Sequence, residues 1–251
     1  ARWLIHKSIE ELKKLELVIA DSQSTKNDFV NSAGGDIDKI MVVYPAVSTC
    51  MSKGTVSKVN TQWTDRRHSK TAFILHVGNN SFYKNRAGVL RVFARIRKKF
   101  DVELKMAGQP PGPELISLIR ELDLTRYIHF VVNPEDDQIV ELYHKAVLLL
   151  FPSIYEGFGW PPLEAMSCGC PVVCSTAGSL PEVVGEAALK SSAVNYDQMA
   201  ENCIAVFEDA ELANKLVQKG YEQVKKFGLE RMGRELINVY MKAIGKLTID
   251  N

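Results

Sequence analysis

Residues 147–166 read VLLLFPSIYEGFGWPPLEAM, and three kinds of local physics follow one another in them. Val147–Phe151 is apolar throughout and short, the pattern of a strand buried on both faces. Pro152 to Gly159 is a loop with glycines at 157 and 159. Pro161 and Pro162 suit the first turn of a helix, where a missing N–H costs little, and that helix is expected to run to Ser167. Backbone of this kind, entering a helix at the carboxyl end of a buried strand, is an anion site, because free N–H groups and the helix dipole point at it. A phosphate or diphosphate suits it. Glu156 and Glu164 bracket the loop, and carboxylates beside an anion site make sense as acceptors for the hydroxyls of a sugar and a ribose. Either glutamate alone reads equally well as a surface residue or a complement to the helix dipole; the pair flanking these glycines favours the site.

The same unit recurs on both sides of this stretch. Ala72–Val77, Val102–Ala107, Ile128–Val132 and Pro171–Cys174 are further short apolar runs, and Arg86–Lys99, Glu114–Leu122 and Glu135–Lys145 have helical spacing. In the first of these helices Leu90, Phe93 and Ile96 turn inward, while Arg91, Arg95, Lys98 and Lys99 face solvent. The fold class is therefore α/β: a Rossmann-like parallel sheet with helices on both faces. Ligands of such sheets bind outside the carboxyl ends of the strands, which directs attention to the loops after Val77, Ala107, Val132 and Phe151. Gly108-Gln109-Pro-Pro-Gly112 and Asn133-Pro134 line that edge and are expected to frame a ligand through backbone.

Ahead of this domain, Ile9–Leu15 reads as a charged helix, Leu17–Ala20 as a strand, Ser24–Ser32 as a helix and Ile40–Tyr44 as a strand. That single βαβ piece is too small for a sheet of its own and is expected to be part of a second Rossmann-like domain. Cys50 to Lys70, rich in Ser, Thr and Lys, reads as a linker. After the domain, Glu211–Phe227 and Leu229–Ile244 are helical patterns broken at Gly228. Their apolar faces are Val217, Tyr221 and Val224 in one, and Met232, Leu236, Val239 and Ala243 in the other.

Composition narrows the function classes. The 251 residues are 46% hydrophobic and 24% charged, with 31 Lys+Arg against 30 Asp+Glu, so no basic arm suggests nucleic acid. The apolar run Ala146–Phe151 is far shorter than the roughly 18–20 residues that cross a bilayer. Cys168, Cys170 and Cys174 crowd together, but zinc frameworks need a second pair or His ligands at matching spacing, so the three are expected to pack as small apolar residues and no metal is expected. Reduced thiols then favour a cytoplasmic location. The histidines are scattered, and only His76, one residue from the ligand edge, stands as a candidate contact. Gly78-x5-Lys84 lacks the second Gly and the Ser/Thr of a P-loop, and no G-x-G-x-x-G follows a strand.

The run Glu156-Gly-Phe-Gly-Trp-Pro-Pro-Leu-Glu164 resembles the E-x7-E signature of glycosyltransferase family 4, retaining enzymes with the GT-B fold. Lys39-Ile-Met-Val-Val-Tyr-Pro-Ala-Val-Ser resembles that family's last N-domain strand, and Ala72-Phe-Ile-Leu-His-Val-Gly its first C-domain strand. Pro152-Ser153, the run from Glu164 to Val173, and Gly178-Ser-Leu-Pro-Glu-Val-Val-Gly-Glu-Ala-Ala fit the surrounding pattern, so the likeness covers most of residues 17–190.

The resemblance implies a donor-binding domain at 61–228, a remnant of the acceptor-side N-terminal domain with its linker at 1–60, and a helix at 229–251 that crosses back to that N-terminal domain, most of which is expected to lie outside this sequence. It implies that Glu156 and the Gly157–Gly159 backbone hold the donor sugar, that Glu164 binds ribose hydroxyls, and that Lys84 contacts the donor diphosphate. Glu156 and Lys84 are thus the catalytic candidates, with Gly78, Asn79, Arg86, Asn133, Gly157, Phe158, Gly159, Trp160, Leu163 and Glu164 around the donor. Asn79 departs from pattern, since an Arg commonly follows the Gly there, and Arg86 is the candidate for the missing charge. The implied activity is metal-independent transfer of a hexosyl or similar group from a nucleotide-diphosphate sugar to a glycan, lipid-linked or small acceptor, with no cofactor. The implied setting is polysaccharide biosynthesis in the cytoplasm, at the inner face of a membrane reached through the N-terminal domain. Three rivals remain open: a glycoside hydrolase using both carboxylates, a non-catalytic nucleotide-sugar-binding module, and an interaction protein on an enzyme scaffold.

Overall fold

The computed structural model describes residues 9–47, 63–67, 69 and 71–245. The chain divides into two compact units, one within 1–47 and 226–251, the other within 48–225. In the smaller unit, strands β1 (Val18–Ala20) and β2 (Ile40–Val42) pair in parallel with Val18 opposite Ile40. Helix α1 (Gln23–Ala33) connects them. It starts where the Ser22 hydroxyl accepts the Thr25 N–H at 2.9 Å, filling one of the helix's open donors, and it stops at Gly34 in the left-handed conformation.

The larger unit is built on β3 (Phe73–Val77), β4 (Glu103–Gly108), β5 (Ile128–Val132), β6 (Leu148–Phe151), β7 (Val172–Ser175) and β8 (Ala188–Ser191). Every neighbouring pair is parallel, in the order β5-β4-β3-β6-β7-β8. From β3 the chain steps outward to β5, returns to lay β6 against the other side of β3, and continues to β8. The winding therefore reverses between β3 and β6. At such a point the loops leave in opposite directions and open a crevice at the carboxyl edge of the sheet. All four residues of β6 are fully buried, as an apolar central strand requires.

The helices of this unit are α2 (Trp63–Arg67), α3 (Arg86–Arg97), α4 (Pro113–Glu121), α5 (Asp136–Lys145), α6 (Trp160–Ser167), α7 (Leu180–Val184), α8 (Tyr196–Glu208) and α9 (Ala210–Lys225). Leu90, Phe93 and Ile96 of α3 are wholly buried against Ile74, Leu104 and Leu148 of the sheet. Each such side chain contributes about 1.5–3 kcal/mol relative to leaving it in water. In α9 the buried face is Ala213, Leu216, Gly220 and Val224. Of the expected face Val224 is buried and Val217 and Tyr221 are half-buried, and the face extends to Gly220, which lies against Met166 of α6, where a Cβ would come within 3.2 Å of that side chain.

Three sequence expectations need correction. The sheet has a sixth strand, β8, which four residues with half-buried Leu189 and Lys190 did not announce. Within Cys50–Lys70, Trp63 is a core residue rather than part of a linker. It is 3% exposed and donates its indole N–H to the Val147 carbonyl at 2.8 Å, and the rest of that stretch to residue 62 lies outside the described residues. Finally, Cys170 and Cys174 are free and buried, as packing residues are, but Cys168 is disulfide-bonded, so uniformly reduced thiols no longer argue for a compartment.

The last helix, α10 (Leu229–Ala243), belongs to the smaller unit. Arg231 lies over the rings of Tyr44 and Phe227, at 5.1 and 5.5 Å, and donates to the Tyr44 carbonyl at 3.1 Å. Ala46 donates its N–H to the Met232 sulfur at 3.1 Å. Of the expected apolar face, Val239 is buried and Met232 and Leu236 are half-buried, whereas Ala243 is exposed. Among the described residues no helix is long and apolar enough to cross a membrane.

Candidate functional site

The crevice between β3 and β6 is lined by two loops that bind each other. After β3 the chain makes a turn in which the Asn79 side chain accepts the Ser81 N–H at 3.0 Å, then a single 3-10 turn, Phe82–Lys84. Asn85 follows in the left-handed region, at φ 50°, and caps α3 by accepting the Gly88 N–H at 3.1 Å. Its amide also donates to the Pro152 carbonyl at 2.9 Å and the Ala193 carbonyl at 3.1 Å. One buried asparagine thus ties together the loops after β3, β6 and β8. Ile154 adds a 2.7 Å backbone bond to Tyr83.

This bracing brings Lys84 to Glu156. Nζ donates to Oε1 at 2.8 Å, and the two side chains are only 13% and 8% exposed. The ammonium also lies 5.1 Å from the centre of the Phe151 ring. A pair this sheltered is felt more strongly than a surface pair, and removing one partner leaves the other as an uncompensated charge.

Beyond Glu156 the loop is held from behind by Ser179 of the β7–α7 connection. Its N–H donates to the Glu156 carbonyl at 3.1 Å, and its hydroxyl faces the carbonyls of Phe158 and Glu156 at 2.7 and 3.1 Å. Gly159 enters α6 at φ 96°, and a Cβ there would stand 2.7 Å from Leu180 Cδ2, so both conformation and space ask for glycine. Pro161 and Pro162 lack N–H groups and remove two of the four open donors of the α6 start. The remaining two, on Gly159 and Trp160, have no partner among the described residues. Trp160 is exposed beside this start, its ring edge-on to Phe158 at 5.4 Å.

Glu164 lies one turn into α6 and is half-buried. Burial holds its carboxyl above the usual range, and the Tyr143 hydroxyl of α5, donating to Oε2 at 3.0 Å, opposes that rise. The charges of Lys84 and Asp136 also bear on it, in opposite directions.

His76 sits beneath the crevice, fully buried, its ring stacked on Phe151. Nδ1 lies 3.1 Å from the Leu150 carbonyl, which can only accept, so Nδ1 carries the proton and Nε2 is a bare acceptor with no partner among the described residues. Burial pushes its pKa down to about 4, and the ring is neutral at pH 7.

The other half of the edge is built differently. Gly78 donates its N–H to the Ala107 carbonyl at 3.0 Å, and Asn133, at φ 47°, donates its N–H to the Gly108 carbonyl at 2.8 Å. Gly108 has φ 139°, and a Cβ there would lie 2.2 Å from the Gly78 carbonyl oxygen. Arg86 points toward this half. It donates to the Asn80 side chain and to the Gln109 carbonyl, and stands over the Phe130 ring at 5.6 Å. Its Nε and Nη2 are buried without a partner among the described residues.

The structure thus gathers Lys84, Glu156, the Gly157–Trp160 backbone and Glu164 at one crevice. Arg86 and Asn133 fall on the β4–β5 side, and the Leu163 and Phe158 side chains are buried rather than open to a ligand. Sequence reading missed Asn85, Tyr143 and Ser179. Asn85 had a usable signal, an Asx residue just before a helical pattern, whereas Tyr143 and Ser179 act across 21 and 23 residues of chain. Among the described residues no three His, Cys, Asp or Glu side chains are grouped so as to hold a metal ion.

Residues 60–223 match the family model of glycosyl transferases group 1. The O-antigen chain mannosyltransferase B of Escherichia coli is 26% identical over 94% of this chain and 62% of its own length. The MMP alpha-(1->4)-mannosyltransferase of Mycolicibacterium hassiacum is 32% identical over 63% of this chain and 40% of its own. This chain therefore spans less than two thirds of those relatives. Among solved structures, a glycosyltransferase from Rickettsia africae superposes with a TM-score of 0.79 at 19% identity, covering 95% of this chain and 67% of that one. Anabaena HepE, in complex with UDP and glucose, gives a TM-score of 0.77 at 20% identity, over 94% of this chain and 67% of that one.

Proposed function

Because the chain belongs to the glycosyl transferases group 1 family, we propose that its crevice binds the nucleotide-diphosphate sugar of a retaining, metal-independent hexosyl transfer of the family 4 kind. The observation that carries this reading is the sheltered Lys84–Glu156 pair, 2.8 Å apart, beside the open backbone donors at the start of α6. Transfer breaks the bond between the anomeric carbon and the diphosphate oxygen. Positive charge develops on the sugar ring and negative charge on the leaving diphosphate. Lys84 and the Gly159 and Trp160 N–H groups receive the departing anion, each worth a few kcal/mol where water is excluded. Glu156 holds the sugar hydroxyls and faces the positive ring. Glu164 accepts hydrogen bonds from the ribose. A donor phosphate oxygen assists removal of the acceptor proton, which keeps the anomeric configuration.

The acceptor is a glycan or a lipid-linked or small molecule, and a cytoplasmic placement at the inner face of a membrane belongs to the same proposal. The two relatives that transfer mannose support a hexosyl donor. Only a ligand that prefers the native state raises its melting temperature. A thermal-shift panel of UDP-, GDP- and ADP-sugars is expected to single out one nucleotide, and no shift with any of them would refute donor binding. Glu164→Ala is expected to weaken binding of the responding nucleotide about tenfold with the fold of the free chain intact; unchanged affinity by calorimetry would remove Glu164 from the site.

A further inference from the structure

Tyr143 is a fully buried side chain of α5, contributed from outside the two loops of the crevice, yet its hydroxyl donates to Oε2 of Glu164 at 3.0 Å. A carboxylate offers two oxygens. Tyr143 occupies one, while Oε1 accepts nothing from the described residues. A glutamate side chain has three rotatable bonds, and a carboxylate free to turn spends part of any ligand's binding on being ordered. The Tyr143 ring cannot wander, because the core encloses it, so its hydroxyl is a fixed anchor for a residue that otherwise stands half in water.

We propose that Tyr143 is a positioning residue of the nucleotide subsite: by fixing Oε2 it presents Oε1 of Glu164 to the vicinal hydroxyls of the ribose. This rests on the nucleotide reading given above. The opposing account is that Tyr143 is simply a large core residue whose hydroxyl found a convenient acceptor. The two differ in what Tyr143→Phe does, since that change keeps the ring and deletes one oxygen.

The anchor also has a pH signature. Three groups bear on Glu164: Tyr143 and Asp136, both of α5, and Lys84 of the loop after β3. A hydroxyl donating to a carboxylate favours its charged form. Without that hydroxyl Glu164 takes up its proton at a higher pH, and a site that needs the carboxylate loses its ligand earlier as the solution is acidified.

The test is calorimetric titration of the chain with UDP, GDP and ADP, and with the 2′,3′-dideoxy counterpart of whichever binds, from pH 7.5 down to 5. Tyr143→Phe is expected to weaken the ribonucleotide about five- to tenfold and the dideoxynucleotide hardly at all, narrowing the ratio between them, and to move the acid loss of affinity to higher pH. Glu164→Gln is the second variant: it should narrow the same ratio, and adding Tyr143→Phe to it should cost nothing more. Equal weakening of both nucleotides, or no change in either, overturns the inference while leaving nucleotide binding intact. If the parent chain binds none of the three nucleotides, the nucleotide reading itself falls and takes this inference with it.

Discussion

The carboxyl edge of the large sheet has two halves that solve different problems. Around β3 and β6, where the winding reverses, charged side chains are drawn inward: Lys84 and Glu156 are buried as a pair, and Glu164 is held by a tyrosine. Around β4 and β5 the contacts are made by backbone and amide groups. Gly78 meets Ala107, Asn133 meets Gly108, and the Asn80 amide meets the Pro110 carbonyl at 2.8 Å. Even Arg86, the cation of that half, is spent on an amide side chain and a carbonyl. A half built on buried charge can respond to a ligand's charge; a half built on backbone supplies a shape.

The largest test of this contrast removes the cation of the inner half. Lys84→Ala is expected to lower transfer by about 10²–10³-fold, the usual cost of deleting a group that stabilises a developing anion. It also strands Glu156 in a sheltered site, so stability falls as well. Measuring transfer well below the variant's own melting temperature separates the two effects, and full transfer there would break the contrast.

Next in size is a cut at the shape-giving half. Gly108→Ala must adopt φ 139° and place a methyl 2.2 Å from the Gly78 oxygen. Strained conformation and overpacking together predict a loss of about 3 kcal/mol, read as a lower urea midpoint at unchanged slope. A neutral outcome would mean that the loops after β3 and β4 part without cost.

The third effect is acid sensitivity from His76. Its pKa is depressed to about 4 in the folded chain against about 6.5 unfolded, so the unfolded state takes the proton first and stability is lost as pH falls through that window. Between pH 7 and 5 the loss amounts to roughly 2 kcal/mol. His76→Phe keeps a ring on Phe151 and should flatten this slope, though it removes the bond to the Leu150 carbonyl and lowers stability at every pH. A slope identical in variant and parent would show that other groups carry the acid sensitivity.

How far the sequence reaches can be argued from the same residues. The central strands were legible because burial on both faces demands an apolar run, and Leu148–Phe151 is one. β8 was not, because an edge strand needs only part of its side chains buried and ALKS carries a lysine. Trp63 was lost in a polar neighbourhood, since its core partner, the Val147 carbonyl, lies 84 residues away. At the crevice, spacing and glycines pointed to the loop after Phe151, and hence to Glu156 and Glu164 as candidates, whereas Lys84 came only from the resemblance to glycosyltransferase family 4. The contact between Lys84 and Glu156 depends on Asn85 stapling three loops, and the hold on Glu164 depends on a residue of another helix. Neither leaves a periodicity, because both are made by the sheet order rather than by neighbours in the chain. Arg86 shows the same limit in reverse: a charge beside Lys84 in sequence points to the opposite half of the edge.

The smallest effect is the most demanding check on the contrast. Gln109 is exposed, and its side chain makes one bond, accepting the Asn80 N–H at 3.0 Å. The bond from Arg86 goes to its backbone carbonyl and survives truncation. The loop remains tied through the Gly78–Ala107, Asn133–Gly108 and Asn80–Pro110 contacts. Gln109→Ala therefore costs no more than about 0.5–1 kcal/mol of stability, the worth of one solvated hydrogen bond, and should change donor affinity by less than about twofold. If calorimetry found affinity down tenfold instead, the outer half would be recognising the ligand by side-chain chemistry after all. The division between a charged half and a shaping half would then have to be redrawn with Gln109 and the unpartnered donors of Arg86 on the charged side.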